Sequence, residues 1–142
     1  VKQDRVVFLI RDRHTDKIVG AVGRGLNKNV YPKWFMYGNK DVPFKCGDCD
    51  DAVIVEDCPS ACAVSNILTG ISIMGTKLKE EHKKYLKPYK NLFICLDRDA
   101  TNKAYDMAKD LRSSGFDNVI VKPLEDDLKY FNTDQIKEMF YE

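Results

Sequence analysis

Apolar residues in this chain fall in short runs, and their spacing changes character near the middle of the first half. In residues 5–12, RVVFLIRD, and 17–26, KIVGAVGRGL, the β-branched and aromatic residues predict two strands joined as a hairpin through RHTDK. Residues 27–50, NKNVYPKWFMYGNKDVPFKCGDCD, are dense in Gly, Pro, Asn and Asp and predict a loop with at most a short strand. From Asp51 onward strand-like and helix-like periods alternate. AVIVE (52–56) reads as a strand, SACAVSNI (60–67) as a short helix and GISIMG (70–75) as a strand. KLKEEHKKYLKPY (77–89) reads as a helix capped by Thr76, and NLFICLD (91–97) as a strand. In the following helix Ala104, Met107, Ala108 and Leu111 keep the i, i+3, i+4, i+7 spacing of one buried face, and Gly115 ends it. NVIVKPL (118–124) supplies the last strand, and TDQIKEMFYE (133–142) a helix starting at Thr133.

Strands alternating with helices of this length imply right-handed βαβ crossovers. The expected fold is therefore α/β. A mainly parallel central sheet flanked by helices occupies residues 51–142, preceded by a small β-rich segment over residues 1–50. The 142 residues suffice for one domain with a real core. Runs such as VVFLI and AVIV are far too short to cross a bilayer, and no charged-then-apolar leader precedes them, so no membrane partner and a cytoplasmic location are expected. A GxxxxGK[ST] loop is missing, which excludes a P-loop nucleotide-hydrolysing motor.

Charge changes the picture. Residues 1–34 hold eight Lys or Arg against three Asp, a net +5; the whole chain carries +1, which leaves −4 for the remainder. A basic arm before an acidic body suits a protein that holds polyanions with one part and a cation with the other, although solvated surface charge gives the same counts. The five cysteines, an odd number, do not suggest a disulfide framework. Zinc is not expected from Cys46, Cys49, Cys58 and Cys62, because a strand separates the two pairs and the second pair is loosely spaced. Cys95 reads as a small buried apolar residue.

The candidate chemistry lies at strand exits. Glu56 ends AVIV; by itself it fits equally a surface carboxylate opening a turn. Asp97 and Asp99 follow LFIC as DRD, where the two-residue repeat of extended backbone points both carboxylates to one side. The acidic turn from Glu125 to Asp127 follows NVIVKPL. In a parallel sheet all these exits share one edge, where ligands bind. Clustered carboxylates repel one another unless a hard cation neutralises them, and an all-oxygen site of this type suits Mg²⁺ or Mn²⁺. Gly75 at the exit of GISIMG allows a phosphate to approach, or makes a tight turn.

The stretches VIVEDCPSA, IMGTKLKEEH and LFICLDRDATNKAYDMA resemble the successive motifs of a Toprim domain. KIVGAVGRGLN and YPKWFMYG are similar to the segment that precedes Toprim in bacterial and bacteriophage DNA primases. The resemblance covers nearly the whole chain. It implies a Rossmann-type domain that synthesises short RNA primers on single-stranded DNA from nucleoside triphosphates, during phage replication in the host cytoplasm and beside a replicative helicase. Glu56 matches the Toprim glutamate, the implied general acid or base. Asp97 and Asp99 match the metal-binding DxD pair; Asp127 matches a later acidic residue, with Leu128 where a proline usually stands. The implied metal set is thus Glu56, Asp97, Asp99 and Asp127. Arg24 and Lys33 match basic residues that hold nucleotide or template phosphates, Gly75 and Thr76 match the glycine turn, and Arg98 between the paired aspartates joins the nucleic-acid-binding set. Two positions depart from the pattern: Asp57 stands where the family has Gly, and Ser60 where it has Asp. Tyr31, Trp34 and Phe35 suit either base stacking or an aromatic cluster bridging arm and body. Two other functions use the same residues: a metal-dependent nuclease, and a noncatalytic nucleic-acid or replisome-binding module.

Overall fold

The computed structural model describes residues 4–141; Val1–Gln3, with Lys2 of the basic arm, and Glu142 at the end of the expected last helix lie outside the described residues. Near the amino end, β1 (Arg5–Arg11), β2 (Ile18–Gly25) and β3 (Trp34–Gly38) form an antiparallel meander. The expected hairpin is there, its turn held by Asp12, whose Oδ1 accepts the amides of His14 and Thr15 at 2.9 Å each.

A second sheet contains β4 (Phe44–Cys46), β5 (Ala52–Val55), β6 (Thr69–Ser72), β7 (Leu92–Ile94) and β8 (Val119–Val121), in the order β4-β6-β5-β7-β8. Only β4 runs antiparallel. The helices are α1 (Cys58–Ala63), α2 (Glu80–Lys83), α3 (Thr101–Ser113) and α4 (Thr133–Tyr141). A mainly parallel sheet flanked by helices and preceded by a β-rich segment is the architecture the sequence implies. Among the described residues no helix is long and apolar enough to cross a membrane.

Every residue of β5 is buried because both faces of the sheet are covered. Val53 and Val55 pack with Cys58 and Ala61 of α1, Phe93, and Ile136 and Phe140 of α4. Ala52 and Ile54 pack on the other face with Ile71, Ile94 and Ala104, Ala108 and Leu111 of α3. A doubly covered strand has no reason to alternate polar and apolar residues, which is why AVIV is unbroken. Ile10 and Val22 of the meander belong to the α1 side of this core, and Phe8 meets Phe44 of β4 edge-on at 5.6 Å.

Two expectations are corrected. Residues 27–50 contain two strands, β3 and β4, rather than a loop with at most one. The Trp34–Gly38 segment pairs with β2 because its large side chains alternate: Trp34 and Met36 face the core, and Phe35 and Tyr37 face solvent. The helix expected over 77–89 is a single turn, with Lys79 rather than Thr76 at its cap. Beyond it the amides of Tyr85, Leu86 and Tyr89 bond three residues back, a tighter winding than the α-helix, before and around Pro88. Thr76 instead accepts a hydrogen bond from Lys103 Nζ at 3.3 Å.

The helix α1 lies directly on β6 at Gly70, where a Cβ would fall on the backbone of Ala61. Gly70→Ala is expected to lower the unfolding free energy by about 3 kcal/mol, the upper end for overpacking, in a urea titration. A loss well under about 1 kcal/mol would show that α1 lifts from the sheet without penalty.

Candidate active site at the carboxyl edge of the parallel sheet

The exits of β5, β6, β7 and β8 lie along one edge, and Glu56 is the first residue past β5. Asp57 then caps α1, its Oδ1 accepting the Ser60 amide at 2.9 Å, with Pro59 in the first turn. Of the two departures from the family pattern, Asp57 is therefore the cap of α1, and Ser60 contributes its backbone amide to it. Asp57 with Pro59 in the first turn is a helix-start signature that sequence reasoning passed over.

Glu56 Oε1 accepts the backbone N–H of Asp97 at 3.1 Å, which joins the β5 and β7 exits. Burial pushes the Glu56 carboxyl up to about 7; the Asp97 amide opposes this, and the charges of Asp97 and Asp99 add to it. Asp97 is also raised, first by desolvation and then by the charges of Asp57, Asp127 and Asp99. The extended-backbone argument for Asp97 and Asp99 is corrected in its detail. Strand β7 ends at Ile94, and Asp99 lies in a 3-10 turn, Arg98–Ala100, that Asp97 precedes. The turn still delivers both carboxylates to one cavity.

That cavity, of about 530 Å³, is lined by Asp97, Arg98, Asp99, Glu125, Asp126 and Asp127. A second, of about 380 Å³, has Glu56, Asp57, Asp97 and Gly75 on one side and Val22, Trp34 and Met36 of the meander on the other. Asp97 lines both. Glu56 and the pair Asp99 and Asp127 thus sit on either side of it, in adjoining spaces rather than one. A larger cavity, of about 620 Å³, opens at the amino ends of the parallel strands beside Arg13, Tyr85 and Tyr89, and contains none of the expected site residues.

The basic residues lie on the meander. Arg24 is paired across the ladder with Trp34, its guanidinium 5.1 Å from the ring centre, and Lys33 is exposed next to Trp34. Of the three aromatics considered together, Trp34 walls the second cavity, whereas Tyr31 and Phe35 are exposed. Gly75 has φ +144°, a conformation that strains any L residue, and its amide donates to the Glu56 carbonyl at 3.0 Å. Thr76 follows it in the chain and lines neither cavity. Sequence reasoning missed the cavity wall from Val22 and Met36, which only the packing of the two sheets creates.

Among the described residues no three Asp, Glu, His or Cys side chains are gathered closely enough to hold a metal ion by themselves. The donor set nevertheless fits Mg²⁺, which takes oxygen ligands and uses one or two carboxylates with water and substrate phosphates. The mutual repulsion that raises Asp97 is what a cation would relieve. All five cysteines are free thiols, and burial holds Cys58, Cys62 and Cys95 up to about 12, so these three are protonated at neutral pH.

The fold and its acidic edge define an α/β domain of the Toprim type. A family model described as Toprim-like matches residues 57–132, more than half of the sequence, and the chain belongs to that family. The match begins one residue after Glu56. A crystal structure of the Aquifex aeolicus primase, comprising its zinc-binding and RNA polymerase domains, has the same fold, with a TM-score of 0.71 at 23% identity. The superposition covers 96% of this chain and 37% of that one, so the meander as well as the parallel sheet has a counterpart there. No curated protein matches the sequence at a significant level.

Because Glu56 holds its proton more tightly folded than unfolded between its ordinary value of 4.5 and about 7, stability falls as pH rises through that window. Glu56→Gln removes the penalty. Relative to the wild type, the variant should gain about 1 kcal/mol between pH 5 and pH 8, after discounting for solvent screening of a half-exposed group, in paired denaturant titrations. A constant difference across that range would mean that Glu56 ionises normally.

Proposed function

We propose that this chain is the catalytic module of a DNA primase, which joins ribonucleotides into short primers on single-stranded DNA. The observation that carries the reading is the hydrogen bond between Glu56 and the Asp97 amide, which sets a carboxyl titrating near neutrality beside an acidic cavity. A group with that proton affinity suits general base catalysis at neutral pH. Glu56 accepts the proton of a primer 3′ hydroxyl as it attacks the α-phosphate of a nucleoside triphosphate, and pyrophosphate leaves.

Asp97 and Asp99, with Asp127 across the cavity, would hold Mg²⁺, for which Mn²⁺ is the alternative. When bound, the ion neutralises charge on the attacking and leaving oxygens. Arg24 and Lys33 pair with template or nucleotide phosphates, and Arg98 contributes a cation at the rim of the acidic cavity. Gly75 and Thr76 form a turn without bulk where a phosphate passes. In this division residues 51–142 carry the chemistry and residues 1–50 the basic wall. The setting is phage replication in the cytoplasm of a bacterial host, alongside a helicase. Primase-like architecture over 96% of the chain, meander included, supports this reading over a nuclease.

The test is one gel with labelled single-stranded DNA, ribonucleoside triphosphates and Mg²⁺. New oligonucleotides are expected from the wild type, with Glu56→Gln and Asp97→Asn each reducing them by about 100-fold or more. Shortened template in place of products would make the chain a nuclease. Template binding unaffected by either substitution, with no product in any lane, would make it a noncatalytic module.

A further inference from the structure

We infer that Ser72 is a positioning residue that fixes the direction of Glu56; the inference rests on the reading of Glu56 as the proton-transfer group. Ser72 is the last residue of β6 and is fully buried. It also belongs to the last pair in the parallel ladder, Val55 with Ser72, so the regular hydrogen bonding of β5 to β6 stops where Glu56 begins.

The serine hydroxyl continues the connection past that point. Its Oγ donates to the Glu56 carbonyl and accepts the Met74 amide, both at 3.1 Å. Met74 has φ +54°, a left-handed conformation uncommon for a residue with a long side chain, and the bond to Ser72 holds it there. That reversal turns the Gly75 amide back to the same Glu56 carbonyl at 3.0 Å. Among the described residues no other side chain bonds to the Glu56 backbone. The hydroxyl thus fixes the Glu56 carbonyl directly and, through Met74 and Gly75, a second time, so the backbone of Glu56 is held where its Oε1 meets the Asp97 amide at 3.1 Å.

A serine inside an apolar strand is otherwise unfavourable, since a buried hydroxyl must find partners. The strand contains its own control. Thr69, at the opposite end of β6, is equally buried, and its Oγ1 bonds the carbonyl and amide of Cys49 at 3.0 and 2.8 Å, remote from Glu56.

Amide hydrogen exchange of the intact chain tests the assignment without requiring activity. In Ser72→Ala the Asp97 amide should exchange about tenfold faster relative to the central amides of Ile54 and Ile71, the factor corresponding to one ordinary hydrogen bond. Thr69→Ala should leave that ratio unchanged. If the alanine variant does not fold, Ser72→Cys is measured in its place; a thiol is a weaker donor, so a smaller increase of about threefold is expected. Wild-type protection at Asp97 in the folded Ser72 variant overturns the inference, as does an equal loss in Thr69→Ala. In the primer assay Ser72→Ala should lower kcat about tenfold and leave the nucleotide KM unchanged. A wild type that makes no primers overturns the proposed function while the exchange result still decides the role of Ser72.

Discussion

Strand β5 is closed to water on both faces, and all four of its side chains are apolar and buried. The constraint ends abruptly at residue 56. There the parallel ladder stops, the chain turns into α1, and a carboxylate stands at the first position that reaches a cavity. Every other part of the site is placed by its relation to this strand: β6 and β7 pair with it on either side, and their exits bring Gly75 and Asp97 to the same edge. A buried parallel strand is rigid because it is paired and packed along its length. The carboxylate at its end therefore inherits a fixed origin, and only its last bonds need local support.

The edge is electrostatically unfavourable as it stands. Desolvation and neighbouring carboxylates both raise Glu56 and Asp97, opposed at Glu56 by the hydrogen bond from the Asp97 amide and at Asp97 by the hydrogen bond with Glu56. Among the described residues the ion pairs join Lys45 to Asp48 and Lys83 to Glu80 and Asp110, all away from Glu56, Asp97 and Asp99. Arg98 lines the acidic cavity with Asp97 and Asp99 but forms no ion pair to either. The repulsion is instead held in check by backbone: the Asp97 amide bonds Glu56, and the Ser60 amide bonds Asp57.

Much of this was legible in the sequence because it depends on period and on position at strand ends. The unbroken AVIV run, the apolar face of α3 and the position of acidic residues past the strand ends follow from local rules, although a 3-10 turn rather than extended backbone presents Asp99. What was not legible depends on partners distant in the chain. The WFMYG segment reads as a loop because glycine and proline surround it, yet Trp34 and Met36 acquire a buried face once β2 offers a ladder and α1 a surface. The KLKEEHKKYL segment has helical composition, but Lys83 is drawn to Asp110 and Ser114 of the α3 end, and only one turn remains regular. Asp57 and Ser60 stand in the sequence only as departures from the family pattern. The role of Asp57 at the α1 cap appears only when its side-chain bond to the amide of residue 60 is seen.

The separation of charge between the two sheets follows from the same geometry. Arg24 lies over Trp34, on the wall of the Glu56 cavity, and Lys33 is exposed beside it, while the acidic turn at Glu125 to Asp127 lies beyond Asp97 in the other cavity. Had the arginine folded onto the aspartates, the pair would have neutralised itself and neither charge would remain for a ligand. Stacking on an indole keeps a guanidinium oriented without cancelling its charge, since the attraction comes from the ring quadrupole rather than from an anion. An aromatic partner for the cation, and backbone amide partners for Glu56 and Asp57, thus keep the two signs of charge from cancelling one another.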